Sequence, residues 1–255
     1  MKNSILFCGD THGQHRHILD AVRRFNPLAV VLLGDMEPET ALHSELAGIP
    51  QEKLWFIHGN HDTDSQKSWL NIWGSELASR NLHARVVVLP NGVRLAGLGG
   101  VFRASVWDPR LSTEPCFRNR KEHTQATPRQ DRWQDSVSLR HVSSIYPDEV
   151  NNLADLRADI LVTHEAPGYH HHGFAILDTL AQSMGVRQTV HGHHHDRLDS
   201  SERWASQGFK SFGVGLRGIT AIDVDGAATL ILTGELDRER NFRQQYLEVF
   251  KDVEL

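Results

Sequence analysis

The pattern of apolar residues predicts an α/β protein in which buried strands alternate with helices. Three observations carry that expectation. Short apolar runs recur along the chain and end in Gly-Asp, Gly-Asn or a His motif, as strands covered on both faces do. The stretches between the early runs place apolar residues three or four positions apart, the spacing of an amphipathic helix. Asn91-Gly92 then separates two further runs, the pattern of an antiparallel hairpin.

Taken in order, residues 5–8 read as a strand closed by Gly9-Asp10, and Ile18, Leu19, Val22 and Phe25 give a helix over 17–25. A second strand over 28–33 closes on Gly34-Asp35, a helix follows around 40–47, and a third strand over 54–57 closes on Gly59-Asn60-His61-Asp62. Strand, helix and strand in alternation predict parallel β-α-β units. Residues 85–89 and 93–98 form the hairpin around a two-residue Asn91-Gly92 turn. Residues 103–140 break the pattern with few apolar positions, three Pro and many charges, and read as a long loop or insertion. Strands return at 160–163, 188–190, 211–214, 219–224 and 228–232, with a helix over 174–184 and a charged helix from about 237. There is no internal repeat and no linker, so residues 1–255 read as one domain carrying the insertion.

Composition narrows the function classes. Hydrophobic residues at 39% can build a core, which excludes a collagen-like or disordered chain. A net charge of -5 argues against a generally basic nucleic-acid or membrane-surface binder. No apolar run is long enough to span a bilayer, and the opening MKNSILFCGD reaches a polar turn too early for a signal peptide. Two Cys, Cys8 and Cys116, cannot make a disulfide framework, so the chain reads as cytoplasmic. Cys8 falls in the first strand and reads as a small buried hydrophobe.

The outlying number is 17 His. Many stand at strand ends, where open α/β folds present ligand-binding loops: Asp10-Thr11-His12, Asn60-His61-Asp62, His164 and His193-His194-His195. Carboxylate and amide oxygens mixed with imidazole nitrogens, without thiolate, suit Mn, Fe or Zn rather than a structural zinc finger. In extended backbone Asp10 and His12 would share a side, as would His193 and His195, with His194 opposite. His58 reads as facing the sheet interior. His191 is balanced between packing and orienting a ligand, and His170, His171 and His172 read as a solvated loop, with a phosphate contact or a further metal site as the alternative.

The ordered series Gly9-Asp10-Thr11-His12-Gly13, Gly34-Asp35, Gly59-Asn60-His61-Asp62, Thr163-His164 and Gly192-His193-His194-His195 resembles the five motifs of the calcineurin-like metallophosphoesterases. That resemblance implies a four-layer αββα sandwich of two mixed β-sheets, with a dinuclear metal site at one edge. It implies that Asp10, His12 and His195 hold one divalent metal, that Asn60, His164 and His193 hold the other, and that Asp35 bridges them, with Mn first and Fe or Zn as alternatives. It implies hydrolysis of a phosphodiester or phosphomonoester by a metal-bridging hydroxide, with His61 protonating the leaving oxygen or stabilising its charge and Asp62 completing the catalytic motif by orienting a neighbouring group.

A narrower likeness is carried by Arg94-Leu95-Ala96-Gly97-Leu98-Gly99-Gly100-Val101-Phe102, Ser144-Ile145-Tyr146 and Asp159 through Glu165. This resembles RNA lariat debranching enzymes, although Asp10 stands where that group often has Cys. Gly34-Asp35-Met36-Glu37-Pro38 lacks the Asp-Arg-Gly of the serine/threonine protein phosphatases. Within 103–140, eight Lys or Arg face five acids, and Trp107, Phe117 and Trp133 interleave. Arg forks onto phosphate, so Arg103, Arg118, Arg120 and Lys121 are candidate substrate contacts, and a nucleotide or nucleic-acid substrate is favoured. A small-metabolite phosphomonoesterase and a non-catalytic metal-binding scaffold are the alternatives. The complete ligand set speaks against the scaffold.

Overall fold

A computed structural model describes residues 3–223 and 225–241. Its first sheet has the order β10-β9-β1-β2-β3, formed by β1 (Ile5–Cys8), β2 (Ala29–Leu32), β3 (Leu54–Phe56), β9 (Ile219–Ile222) and β10 (Ala228–Leu232). The second has the order β4-β5-β6-β7-β8, formed by β4 (Arg85–Val88), β5 (Arg94–Leu98), β6 (Ile160–Thr163), β7 (Gln188–His191) and β8 (Lys210–Gly213). β1, β2 and β3 are parallel, as are β5 to β8, whereas β4, β9 and β10 pair antiparallel. Both sheets are therefore mixed, and the α/β fold expected from the sequence is the one observed.

Side-chain alternation explains the layering. Ile5 and Phe7 of β1, Ala29 and Val31 of β2, Leu95 of β5, Ile160 and Val162 of β6 and Val190 of β7 form one buried cluster between the sheets. Their neighbours turn the other way. Leu6, Cys8, Val30 and Leu32 meet Ile18 and Val22 of α1 (Arg16–Phe25), with Leu42 of α2 (Leu42–Glu45) and Ile72 of α3 (Gln66–Trp73) in the same cluster. Ala96, Leu98 and Leu161 meet Val150 and Leu153 of α5 (Pro147–Ala154) and Leu177, Leu180 and Met184 of α6 (Ala175–Met184). A strand buried on both faces needs no polar alternation, which is why these segments read as continuous apolar runs.

Three expectations change. The hairpin turn is not a two-residue Asn91-Gly92 turn. Gly92 N–H bonds Leu89 O, Leu89 N–H bonds Val93 O, and only Gly92 takes positive φ, so Pro90, Asn91 and Gly92 make a three-residue loop. The helix expected over 40–47 shrinks to the single turn of α2, because residues 37–41 belong to the loop after β2 and Gly48 turns away at φ +104. Residues 103–140 do join the core: Val106, Trp107 and Val137 are buried, and the segment holds α4 (Arg120–Ala126), capped by Asn119. The charged helix expected from about 237 is described only as far as 241, and the rest lies outside the described residues. Among the described residues no helix is long and apolar enough to cross a membrane.

Candidate metal centre

The motif residues stand just past the C-terminal ends of β1, β2, β3, β6 and β7, so both sheets feed one edge. They are not extended there. His12, Asp35, His193 and His195 take φ of 40, 47, 69 and 57°, in the left-handed region, and it is these turns that converge the side chains. His193 and His195 consequently serve two different ligand groups instead of sharing one face.

One group is His12, Asp35 and His195, and the other is Asp35, His164 and His193, each with its ligand atoms within 4.8 Å of one another. Asp35 is common to both. His12 Nε2 lies 3.1 Å from His195 Nε2, and His164 Nε2 lies 3.3 Å from Asp35 Oδ2 and 3.3 Å from Asn60 Oδ1. Asp10 stands behind the groups: its Oδ2 accepts the His193 backbone N–H at 2.9 Å, while its buried Oδ1 has no hydrogen-bond partner. The backbone makes room for this set. A Cβ on Gly59 would fall 2.1 Å from Asp35 Oδ1 and 2.5 Å from His164 Cε1, and one on Gly192 would fall 3.0 Å from both Asp10 carboxylate oxygens.

Burial and the two carboxylates set the electrostatics of the site. Burial disfavours charge on His164, yet Asp35 and Asp10 beside it overcome this and push it up to about 10. Burial, aided by Asp35, pushes Asp10 up to about 7 against the pull of His164. For Asp35 itself, burial is outweighed by His164 and the His61 N–H, which hold it below the usual carboxylate range. Burial and neighbouring His hold His193 down to about 3 and His195 down to about 4, so their ring nitrogens keep lone pairs to share. Two buried carboxylates, the half-buried Asn60 amide and converging imidazoles fit divalent cations with mixed nitrogen and oxygen preference.

Neighbouring groups set the orientation of these ligands. His12 Nδ1 meets the Glu37 carboxylate, which turns Nε2 toward His195. His164 Nδ1–H donates to Leu33 O at 2.7 Å, freeing Nε2 for Asp35 and Asn60. His61 is half exposed, with Nδ1 2.6 Å from Asp64 Oδ2 and its ring centre 5.6 Å from that of His12. Asp62 lies outside both ligand groups and turns into the fold. Fully buried, it accepts Gly59 N–H at 2.8 Å, Met36 N–H at 2.7 Å and Glu37 N–H at 3.2 Å, pinning the loops after β2 and β3 together. Sequence reasoning missed Glu37 and Asp64. Their signals were an acid two residues past Asp35 and one three residues past His61.

The other candidates separate clearly. Cys8 and His58 are buried, His58 against Trp73 and His83. His191 Nδ1–H donates to Gly192 O, and its Nε2 accepts the Tyr169 O–H at 2.7 Å. His170 is buried, not solvated: it stacks on His194 with ring centres 4.1 Å apart and meets Asp196 at 3.3 Å, whereas His171 and His172 are exposed. Arg120 donates to His141 O and Val142 O, meets Glu149 and lies over the Tyr146 ring, so its guanidinium is committed to the fold. Arg118 and Lys121 are exposed beside it, and Arg103 reaches Ser143 Oγ at 3.2 Å.

Comparison with known proteins agrees with this architecture. An uncharacterised protein of Haemophilus influenzae is 38% identical over 237 residues, covering 92% of this chain and all of that protein. The crystal structure of TT1561 of Thermus thermophilus shares the fold at a TM-score of 0.56 and 13% identity, over 91% of this chain and 99% of that one. The Metallophos family, the calcineurin-like phosphoesterases, matches residues 4–197, which include every residue of both ligand groups. The chain belongs to the calcineurin-like phosphoesterase family.

Proposed function

We propose that the chain is a metal-dependent hydrolase of phosphomonoesters or phosphodiesters, with a nucleotide or nucleic-acid substrate. The observation that carries this reading is Asp35, a buried carboxylate common to two ligand groups. Two oxygens on one carboxylate suit a bridge between two cations. In this reading Asp10, His12 and His195 hold one cation, Asn60, His164 and His193 hold the other, and Asp35 serves both. Divalent cations bound there would make water acidic enough to act as a nucleophile near neutrality and would neutralise phosphoryl oxygens.

His61 supplies the proton for the leaving oxygen. Asp64 engages Nδ1, which leaves Nε2 free on a ring beside His12. General acid help of this kind is worth about 10²–10⁴ in rate. The test is hydrolysis of p-nitrophenyl phosphate and bis-p-nitrophenyl phosphate by metal-stripped protein with Mn²⁺, Fe²⁺ or Zn²⁺ restored. Metal-dependent turnover of either ester is expected. Inactivity on both with every metal would favour a binding scaffold instead.

A further inference from the structure

We propose that Arg103 and Arg140 form a second anion subsite that holds a non-reacting phosphate of the substrate, next to the one being cleaved. This rests on the phosphoesterase reading above and specifies its substrate class.

The subsite is assembled by the two stems of the 103–140 segment. A bridge between Val101 and Ser144 lays the stems side by side. Ser143 Oγ then accepts from Arg103 Nη2 at 3.2 Å, donates to Arg140 O at 3.2 Å and bonds Thr63 Oγ1 at 2.7 Å. Thr63 closes the short helical turn His61–Thr63, so this hydroxyl couples both stems to the loop that carries Asn60 and His61. Through Ser143 and Thr63, Arg103 is tied to the turn that carries His61. Asp64 beside His61, Glu165 beside His164, and Asp35 all act on it through space.

None of these acids pairs with it. Among the described residues neither Arg103 nor Arg140 makes an ion pair, and Arg103 Nε is buried without any hydrogen-bond partner. The other arginines of the segment with a settled role are neutralised or tied down, Arg110 by Asp108 and Arg120 by Glu149 and two carbonyls. Half-burying the Arg103 guanidinium without a carboxylate is unfavourable, and Arg140, exposed on the other stem, adds like charge to it. Burial and Arg140 accordingly weaken the hold of Arg103 on its proton. A dianionic ligand relieves that conflict, and a phosphate matches the fork of each guanidinium. The cations in the proposed function already answer the charge of the reacting phosphoryl group. The arginine pair therefore fits a further phosphate: the next one along a strand, or one joined through a pyrophosphate link.

The test compares the p-nitrophenyl ester of thymidine 5′-phosphate with the same ester carrying a 3′-phosphate. The leaving group is unchanged, so only the second phosphate differs. The native protein is expected to favour the 3′-phosphorylated ester about tenfold or more through KM, since a hydrogen bond to a charged group contributes at least that factor. Arg140→Ala and Arg103→Ala should erase that preference, and Arg103→Lys should keep part of it. Equal losses on the two esters would place the arginines on the reacting phosphoryl group and overturn the subsite. So would a preference that survives in Arg140→Ala.

Calorimetry with thymidine 3′,5′-bisphosphate against thymidine 5′-phosphate, in Mn²⁺ buffer, reads the same contrast without turnover. If neither ester is hydrolysed, the phosphoesterase reading falls while the affinity difference still decides the subsite. Thymidine 5′-diphosphate in the same titration separates the two sources. Tighter binding than the 3′,5′-bisphosphate would assign the pyrophosphate link, and weaker binding the neighbouring phosphate of a strand.

Discussion

Glu37 orients His12, one of the proposed metal ligands. Its carboxylate fixes His12 Nδ1, so the lone pair of Nε2 points into the group that holds Asp35 and His195. Removal of such a partner lowers metal affinity about 10–100-fold. Glu37→Gln should therefore bind Mn²⁺ more weakly in equilibrium dialysis, with the loss confined to one of two sites. Unchanged binding would mean that the imidazole is held by its loop alone. His61→Ala should behave differently, keeping its metal while turning over more slowly. An acid helps only when the leaving group is poor, so the loss is expected to be large on alkyl phosphates and small on p-nitrophenyl esters. Equal losses across leaving groups would make His61 a positioning residue. If Asp64 aims that acid, Asp64→Asn should show a weaker form of the same leaving-group dependence.

At the scale of elements, α4 joins α5 to the hairpin layer through one largely buried carboxylate. Glu149 accepts the Tyr146 N–H at 2.9 Å as part of the α5 cap and meets His83 at 3.2 Å and Arg120 at 3.4 Å. Burial disfavours its charge, but His83 and Arg120 outweigh burial and hold its carboxyl below the ordinary value. A depressed folded-state pKa means that the stabilisation is full above the unfolded value, about 4.3, and disappears as pH falls through the folded one. Glu149→Gln should thus flatten the acid limb of the melting temperature against pH below about 4.3, and an unchanged limb would discount the cluster. Arg120→Ala strands two carbonyls and uncovers Tyr146, and should cost about 1–3 kcal/mol in urea unfolding. Arg118→Ala and Lys121→Ala are exposed changes and should stay within about 0.5 kcal/mol. If Arg120→Ala were equally silent, the segment would be a surface loop after all.

For the whole molecule, what could be read in advance depended on how local its cause is. Strands such as Ile5–Cys8 and Ile160–Thr163 were legible because burial on both faces leaves an unbroken apolar run. The motif residues were legible because their order along the chain is preserved at the sheet edge. Helices α3, α4 and α5 were not, since each buries only one or two side chains and its signal is a cap, Ser65, Asn119 or Tyr146 followed by Pro147. The left-handed turns at His12, Asp35, His193 and His195 were hidden as well, because the converging loops impose them and no local pattern does.

Those loops come from both sheets: Asp10, His12, Asp35 and Asn60 from the first, His164, His193 and His195 from the second. Cations held between them would cross-link the two halves of the sandwich. A ligand that binds only the folded chain at 100 times its Kd stabilises it by about 2.7 kcal/mol, and for a chain of this size that raises Tm by about 5–10 °C. Adding Mn²⁺ to chelator-treated protein should give a shift of that order. Asp35→Asn should shrink it most, because a neutral amide is a poor bridge and both ligand groups lose their shared member. Lys121→Ala is the matched exposed control and should keep the full shift. A native shift that survives intact in Asp35→Asn, with two metal ions still bound per chain, would mean that the cations sit elsewhere.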